Sequence, residues 1–197
     1  MIIPAWQAVL DFWFLPAGNL GHGSARPEWF RKNKVFDGEI RSRFHDMIEA
    51  ALTAPEPDLT SNPLATLARI LLLDQLSRNA YRDTPRAFAG DALAVVAAQA
   101  LVASGAHLQL APIQRWFVYM PFEHAEDRAL QQQAVALFTA LHGHTEQDDQ
   151  FAGPLDYAIR HRDVVQRFGR FPHRNAVLGR VSTPEEDAFL RLPGSGF

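Results

Sequence analysis

The chain contains no cysteine. That excludes disulfides, thiolate nucleophiles and cysteine-held zinc or iron–sulfur centres in one stroke. It also fits a reducing compartment, and a cytoplasmic location is the expectation. Lysine is almost missing: Lys32 and Lys34 stand against seventeen arginines. Nearly all fixed positive charge is therefore carried by planar guanidinium groups, which suit carboxylate or phosphate partners; on a surface, GC-rich coding produces the same bias. No apolar run reaches the roughly 18 residues that span a bilayer. The start, "MIIPAWQAVLDFWFLP", lacks a basic leader and carries Asp11 within its apolar run, so it reads as a helix of the fold rather than a signal peptide. Excess charge of either sign is absent as well. The formal charge is −3 and the pI is near 6.2. Neither nucleic acid nor membrane is expected as a partner. There is no Walker loop, no dinucleotide-binding glycine fingerprint and no G-x-S-x-G elbow. The eight histidines form no H-E-x-x-H and no i, i+4 pair on one helix. No metal and no cofactor are expected.

What is present is helical punctuation. A length of 197 residues with 47% apolar content suits one domain spanning 1–197. Asn62-Pro63, Thr84-Pro85 and Thr183-Pro184 each set a capping side chain before a proline at the first helical position. Glu186 completes a capping box with Thr183. Gly105, Gly143 and Gly169 mark expected helix stops. Between these points apolar residues recur at helical spacing: Ala5, Val9, Phe12 and Trp13; then Phe36, Ile40, Phe44, Ile48 and Leu52; then Leu64, Leu67, Ile70 and Leu71 on a helix apolar enough to be central. Further helices are predicted over 91–105, 126–143 and 153–169, with short ones at 172–179 and 184–191. No period-2 segment flanked by hairpin turns is found. The polar joins 16–26, 53–62 and 142–150 are the predicted mobile loops.

Three polar constellations stand out. In "LLLDQLSRNAYRD", Asp74 and Arg78 lie four apart on one helical face, acid before base. Arg82 follows one turn on. In "YMPFEHAEDR", Pro121 reads as a break with a new helix starting near Glu123. His124 and Glu126 form a candidate couple for proton transfer. In "YAIRHRDVVQRFGRFPHRN", His161 falls on the inward stripe. From Arg160 to Arg180 six arginines face one acid, Asp163. Such density calls for carboxylates from elsewhere, an anion, or solvent, and Asp74, Asp91 and Glu126 are the internal candidates. A helix opening at Pro172, with His173, Arg174 and Asn175 in its first turn, would offer free backbone N–H groups to an anion.

Taken together and in order, "VLDFWF", "LLLDQLSRNAYRDTPRAFAGD", "YMPFEHAED" and "RHRDVVQRFGRFPHRNAVLGR" resemble a bacterial family, number nine-two-four among the domains of unknown function. The resemblance implies an all-helical, single-domain fold, a tetratricopeptide-like right-handed stack of antiparallel helix pairs. It implies no established activity, substrate or cofactor. Three readings of the charged residues remain open. In one they are architectural, the late arginines clamping Asp74, Asp91 and Glu126. In the second, Asp74, Arg78, Arg82, His124, His161, Arg170, His173, Arg174 and Asn175 surround a pocket for a small anionic ligand or a peptide carboxylate, with aromatic walls from Trp116, Tyr119 and Phe171. In the third the pocket belongs to a hydrolase or transferase acting on a phosphorylated or carboxylated small molecule, with His124 or His173 as general base and Glu126 as a further catalytic candidate.

Overall fold

The computed structural model describes residues 4–54, 58–145 and 149–196, and there the chain is helical, with no strand. The helices are α1 (Ala5–Phe14), α2 (Lys34–Thr53), α3 (Pro63–Ile70), α4 (Ser77–Ala80), α5 (Asp91–Ala103), α6 (Pro112–His124), α7 (Arg128–His144), α8 (Ala152–Phe168) and α9 (Pro184–Leu190). A π-helical stretch, Leu71–Leu76, joins α3 to α4, so the pair runs as one continuous helix with a widened middle. Short polar side chains open the others. Asn33 accepts from the N–H groups of Val35 and Phe36, Asn62 from Ala65, and Asp127 from Ala129 and Leu130. Each satisfies donors that a helix start leaves without partners. Thr183 and Glu186 close the expected capping box.

The α3–π–α4 rod is the centre. Leu67, Ile70, Leu71, Leu73 and Leu76 are fully buried. Helices α1, α2, α5 and α6 pack around this rod, and α6, α7 and α8 follow as successive neighbours. One end of the core is aromatic: Trp13 stacks on Trp29 at 5.8 Å, and Phe117 meets Trp29 edge-on at 4.7 Å. Trp116 joins them, stacked on the half-exposed Phe30. At the other end a small satellite core of Val164, Val165 and Phe171, with Phe168 and Phe189 against it, docks the C-terminal segment.

Four sequence expectations need correction. The segment 112–124 is a full helix with Pro121 inside it. Proline there forgoes one backbone bond, but Phe117, Val118, Tyr119, Met120 and Phe122 are all buried, and tertiary packing outweighs that loss. The next helix starts at Arg128 rather than near Glu123. Gly143 does not stop a helix; α7 continues through it to His144. Segment 172–179 is a three-residue 3-10 turn, Pro172–Arg174, followed by turns. Thr84 opens only another 3-10 turn, its hydroxyl donating back to Tyr81 O. Gly105 and Gly169 do end helices, both left-handed at φ 73°. Of the expected mobile loops, 16–26 forms successive turns, while residues 55–57 and 146–148 of the other two lie outside the described residues. By length and composition the stretch 85–103 is apolar enough to cross a membrane. Its Ala94, Ala97, Ala98 and Leu101 are instead packed fully into the core.

Candidate functional site

The widened turn places an acid in the core. In the π-helical stretch the Ser77 N–H reaches back five residues to Leu72 O, and the Ser77 hydroxyl donates to Leu73 O at 2.6 Å. Such π segments recur at functional sites. Asp74 sits in this stretch with no exposed surface. Its carboxylate accepts from His124 Nδ1 at 2.7 Å, Gln75 Nε2 at 2.5 Å and an Arg78 nitrogen at 3.3 Å. Burial alone would raise its pKa, but the charges of His124 and Arg78 and the hydrogen bonds outweigh that. The carboxyl is held far below the ordinary range. An ionised Asp74 can only accept, so His124 Nδ1 carries the proton. His124 Nε2 bonds to no protein group among the described residues.

A second layer comes from α5. Gly90 lies against the backbone of Leu73 so closely that an added Cβ would stand 2.4 Å from Leu73 O. This approach brings Asp91 to Arg78, whose nitrogen donates to both carboxylate oxygens at 3.0 and 3.1 Å. Arg78 also lies over the Phe88 ring. Burial pushes Asp91 above the usual carboxylate pKa even with Arg78 beside it.

Arg174 arrives from the C-terminal segment. Its guanidinium is sandwiched between Phe88, at 5.0 Å, and Phe171, at 4.5 Å. Only 5% of the residue is exposed. Its polar contact with Asp91 is long, 3.4 Å, and its buried Nε has no hydrogen-bond partner. Burial, joined by repulsion from Arg78, drives its pKa down to about 10. Aromatic faces attract a cation but offer its N–H donors no strong acceptor, so its hydrogen bonding is incomplete.

These groups border a cleft of about 530 Å³, within the roughly 300–1,000 Å³ of small-molecule sites. Polar Asp91, His124, Glu126 and Arg174 line it together with apolar side chains of Phe88, Val95, Leu130 and Leu178. A larger cleft of about 630 Å³ lies between α1 and α2. Its arginines are already engaged: Arg26 caps the Phe12 and Trp13 carbonyls, and Arg43 covers the Phe12 ring. Among the described residues no group of three metal-ligating acids or imidazoles is placed to hold an ion.

Of the residues named from the sequence, the structure brings Asp74, Arg78, His124 and Arg174 together, with Asp91 and Glu126. It does not bring Arg82, Arg170 or Asn175 to the cleft. Arg82 turns the other way, holding Asp37 on α2 at 2.7 and 2.8 Å. Arg170 pairs twice with Glu186, and Asn175 serves Glu186, Ser182 and Arg180. Trp116 and Tyr119 belong to the core, not to a cleft wall, because α6 turns both inward. The helical anion cradle at Pro172 does not form. The Phe171 N–H instead donates to Glu126 at 2.8 Å, and Arg180 grips the same carboxylate at 2.6 and 2.9 Å. The anion at this place is a protein side chain. Glu126 is therefore committed to Arg180, and His124 takes Asp74 as its acid. His161 is buried on the inward stripe and, against the pocket expectation, does not line the cleft; its Nδ1 is 2.8 Å from Tyr157 O and 3.0 Å from Glu123. Sequence reading overlooked the buried Glu123 and the aromatic plate Phe88. Both lie beside flagged motifs, in "PFEH" and "RAFAGD".

His173 packs against Phe171 and is not part of the cleft lining. Burial, with repulsion from Arg174, lowers its pKa to about 3 from 6.5. Between those values the unfolded chain takes up a proton that the folded chain refuses. Stability therefore falls as pH drops through this window, by up to about 1.4 kcal/mol per pH unit. His173→Asn should flatten the slope of urea-unfolding free energy between pH 6.5 and about 5 by close to one proton. His107, held down by its own burial, retains its share of the slope in that variant.

Fold and site define an all-helical protein with an apolar cleft floored by paired charges. The chain belongs to the bacterial family of unknown function DUF924, whose sequence pattern matches residues 9–194. A solved structure of a protein of unknown function from Agrobacterium tumefaciens is similar over 94% of this chain and 96% of that one, at 38% identity and a TM-score of 0.77. No curated protein matches the chain.

Proposed function

We propose that the cleft binds a small organic anion, with Arg174 as the anchor. The observation that carries this is a cleft-lining guanidinium that is nearly fully buried, lies over two rings and has a buried Nε with no hydrogen-bond partner. The neighbouring guanidinium groups are already engaged, Arg78 with Asp74 and Asp91 and Arg180 with Glu126, while Asp74 also accepts from His124. An entering anion would complete what Asp91 alone does weakly. The scaffold in this reading is a single-domain, tetratricopeptide-like stack of antiparallel helix pairs in the cytoplasm. The succession of α5, α6, α7 and α8 as packed neighbours supports it.

The Asp74–His124 bond favours a second reading. An acid that fixes the tautomer and leaves Nε2 toward a cleft is the arrangement of a general base. Water or a hydroxyl of a phosphorylated or carboxylated small molecule would be its target, making the protein a hydrolase or transferase.

Thermal unfolding in the presence of acetate, benzoate and inorganic phosphate tests the primary reading. At least one should raise the melting temperature by several degrees through mass action. Arg174→Gln should abolish that rise. So should Ala92→Trp, which fills the cleft from an exposed position on α5 and leaves the core intact. A rise unaffected by either variant would overturn anion binding here. Turnover of p-nitrophenyl acetate or phosphate that disappears in His124→Gln would select the second reading.

A further inference from the structure

We propose that the natural occupant of the cleft is a monoanion with a hydrocarbon tail, a straight-chain carboxylate whose head meets Arg174 and whose tail follows α5. This rests on the anion-binding reading and narrows it by charge and by wall chemistry.

The lining limits the head group. Arg78 is tied through one nitrogen to Asp74 and to both oxygens of Asp91, and it lies outside the cleft lining although its buried Nε also lacks a hydrogen-bond partner. Arg180 gives two nitrogens to the two oxygens of Glu126. Among the described residues Arg174 is the guanidinium of the cleft lining, held there by rings and a 3.4 Å contact. A single guanidinium in the lining matches a monoanion. A phosphate dianion would need a second cation in the lining, and the nearby carboxylates Asp91 and Glu126 would repel its extra charge. A carboxylate can instead take a planar guanidinium fork side-on.

Wall chemistry limits the rest of the molecule. On α5 the cleft-facing row runs from Asp91 through Ala92 to Val95, about 6 Å along the helix axis. Leu130 of α7, Leu178 and Phe88 complete the sides. The side chains beyond the charged end carry no polar atom, and the helical backbone behind them is already hydrogen bonded. A peptide C-terminus would lay its amide groups against this surface without partners, at a cost for each one. A hydrocarbon chain loses nothing there and gains from leaving water.

Calorimetric titration with acetate, butanoate, hexanoate and octanoate provides the test, with octanol, inorganic phosphate and the dipeptide Leu-Leu as comparators. Affinity should rise about fourfold for each methylene that is buried. Octanoate should bind well ahead of octanol, and Arg174→Gln should remove that advantage. Val95→Asp, a substitution on the half-exposed row of α5, should erase the gain with length while acetate binding persists. If acetate and octanoate bind alike, and both need Arg174, the tail is refuted and the anion site stands. If phosphate or Leu-Leu binds more tightly than hexanoate, the head or the chain assigned here is wrong. If octanol equals octanoate, or if none of the seven binds, both this proposal and the anion site fall together.

Discussion

Asp74→Ala should lower the free energy of unfolding by about 3–5 kcal/mol, the usual result of removing one partner from a buried ion pair. Several groups are stranded at once. His124, Gln75 and Arg78 all donate to this carboxylate, and it has no exposed surface through which water could replace it. For a chain of this length each kcal/mol moves the melting temperature by about 2–4 °C, so the transition should fall by roughly ten degrees. Urea denaturation gives the free energy directly. Arg78→Ala made in the Asp74→Ala background should cost less than in the native chain, by about 0.5–3 kcal/mol of coupling. If the two losses simply add, the bond between them has no energetic weight.

Gly90→Ala should cost about 3 kcal/mol or more. The residue has φ −91°, so backbone freedom is not its role. The reason is steric: the new Cβ would lie 2.4 Å from Leu73 O and 3.0 Å from Leu73 C and Cα. These are backbone atoms of the widened turn and cannot swing aside, so α5 must retreat. Overpacking of this kind destabilises even where side chains can adjust. The retreat would also draw Asp91 away from Arg78, loosening the floor of the cleft. Gly38→Ala is the control. It sits within α2 with only Arg41 Nη2 near, at 4.0 Å, and should stabilise the chain by about 0.5–1 kcal/mol, since glycine inside a helix is a poor choice. Both values can be read from urea midpoints.

How far the sequence announces this site depends on the range of the interaction. Asp74 and Arg78 are four apart, and that spacing alone places them in contact, even across the π stretch. The all-helical class was equally legible, because capping residues and apolar stripes act within a few positions. Glu126 is among the acids expected for the late arginines, but its pairing with Arg180 was not legible, and neither was Asp37 as the partner of Arg82. These pairs span 54 and 45 residues, and nothing in the spacing of charges tells which acid will meet which base. Helix α6 escaped notice because Pro121 breaks isolated helices, whereas here burial on every side holds the turn. The expected cradle at Pro172 failed for a related reason: its free N–H had a protein carboxylate available, and an intramolecular anion is always present at high effective concentration. The recognition of Asp74, Arg78, His124 and Arg174 as one group thus came from local motifs, but their common cleft exists only through the close approach of α5 at Gly90.

The aromatic end of the core has a practical bearing on how this molecule will be watched. All of the indoles, Trp6, Trp13, Trp29 and Trp116, belong to α1, α6 and the turn after α1, and none lies in the satellite core that docks the C-terminal segment. Intrinsic emission is therefore a reporter for one pole of the protein. A detachment of the arginine-bearing tail would be nearly dark to that signal, while circular dichroism would register it, so a gap between the two traces would reveal the tail coming away first.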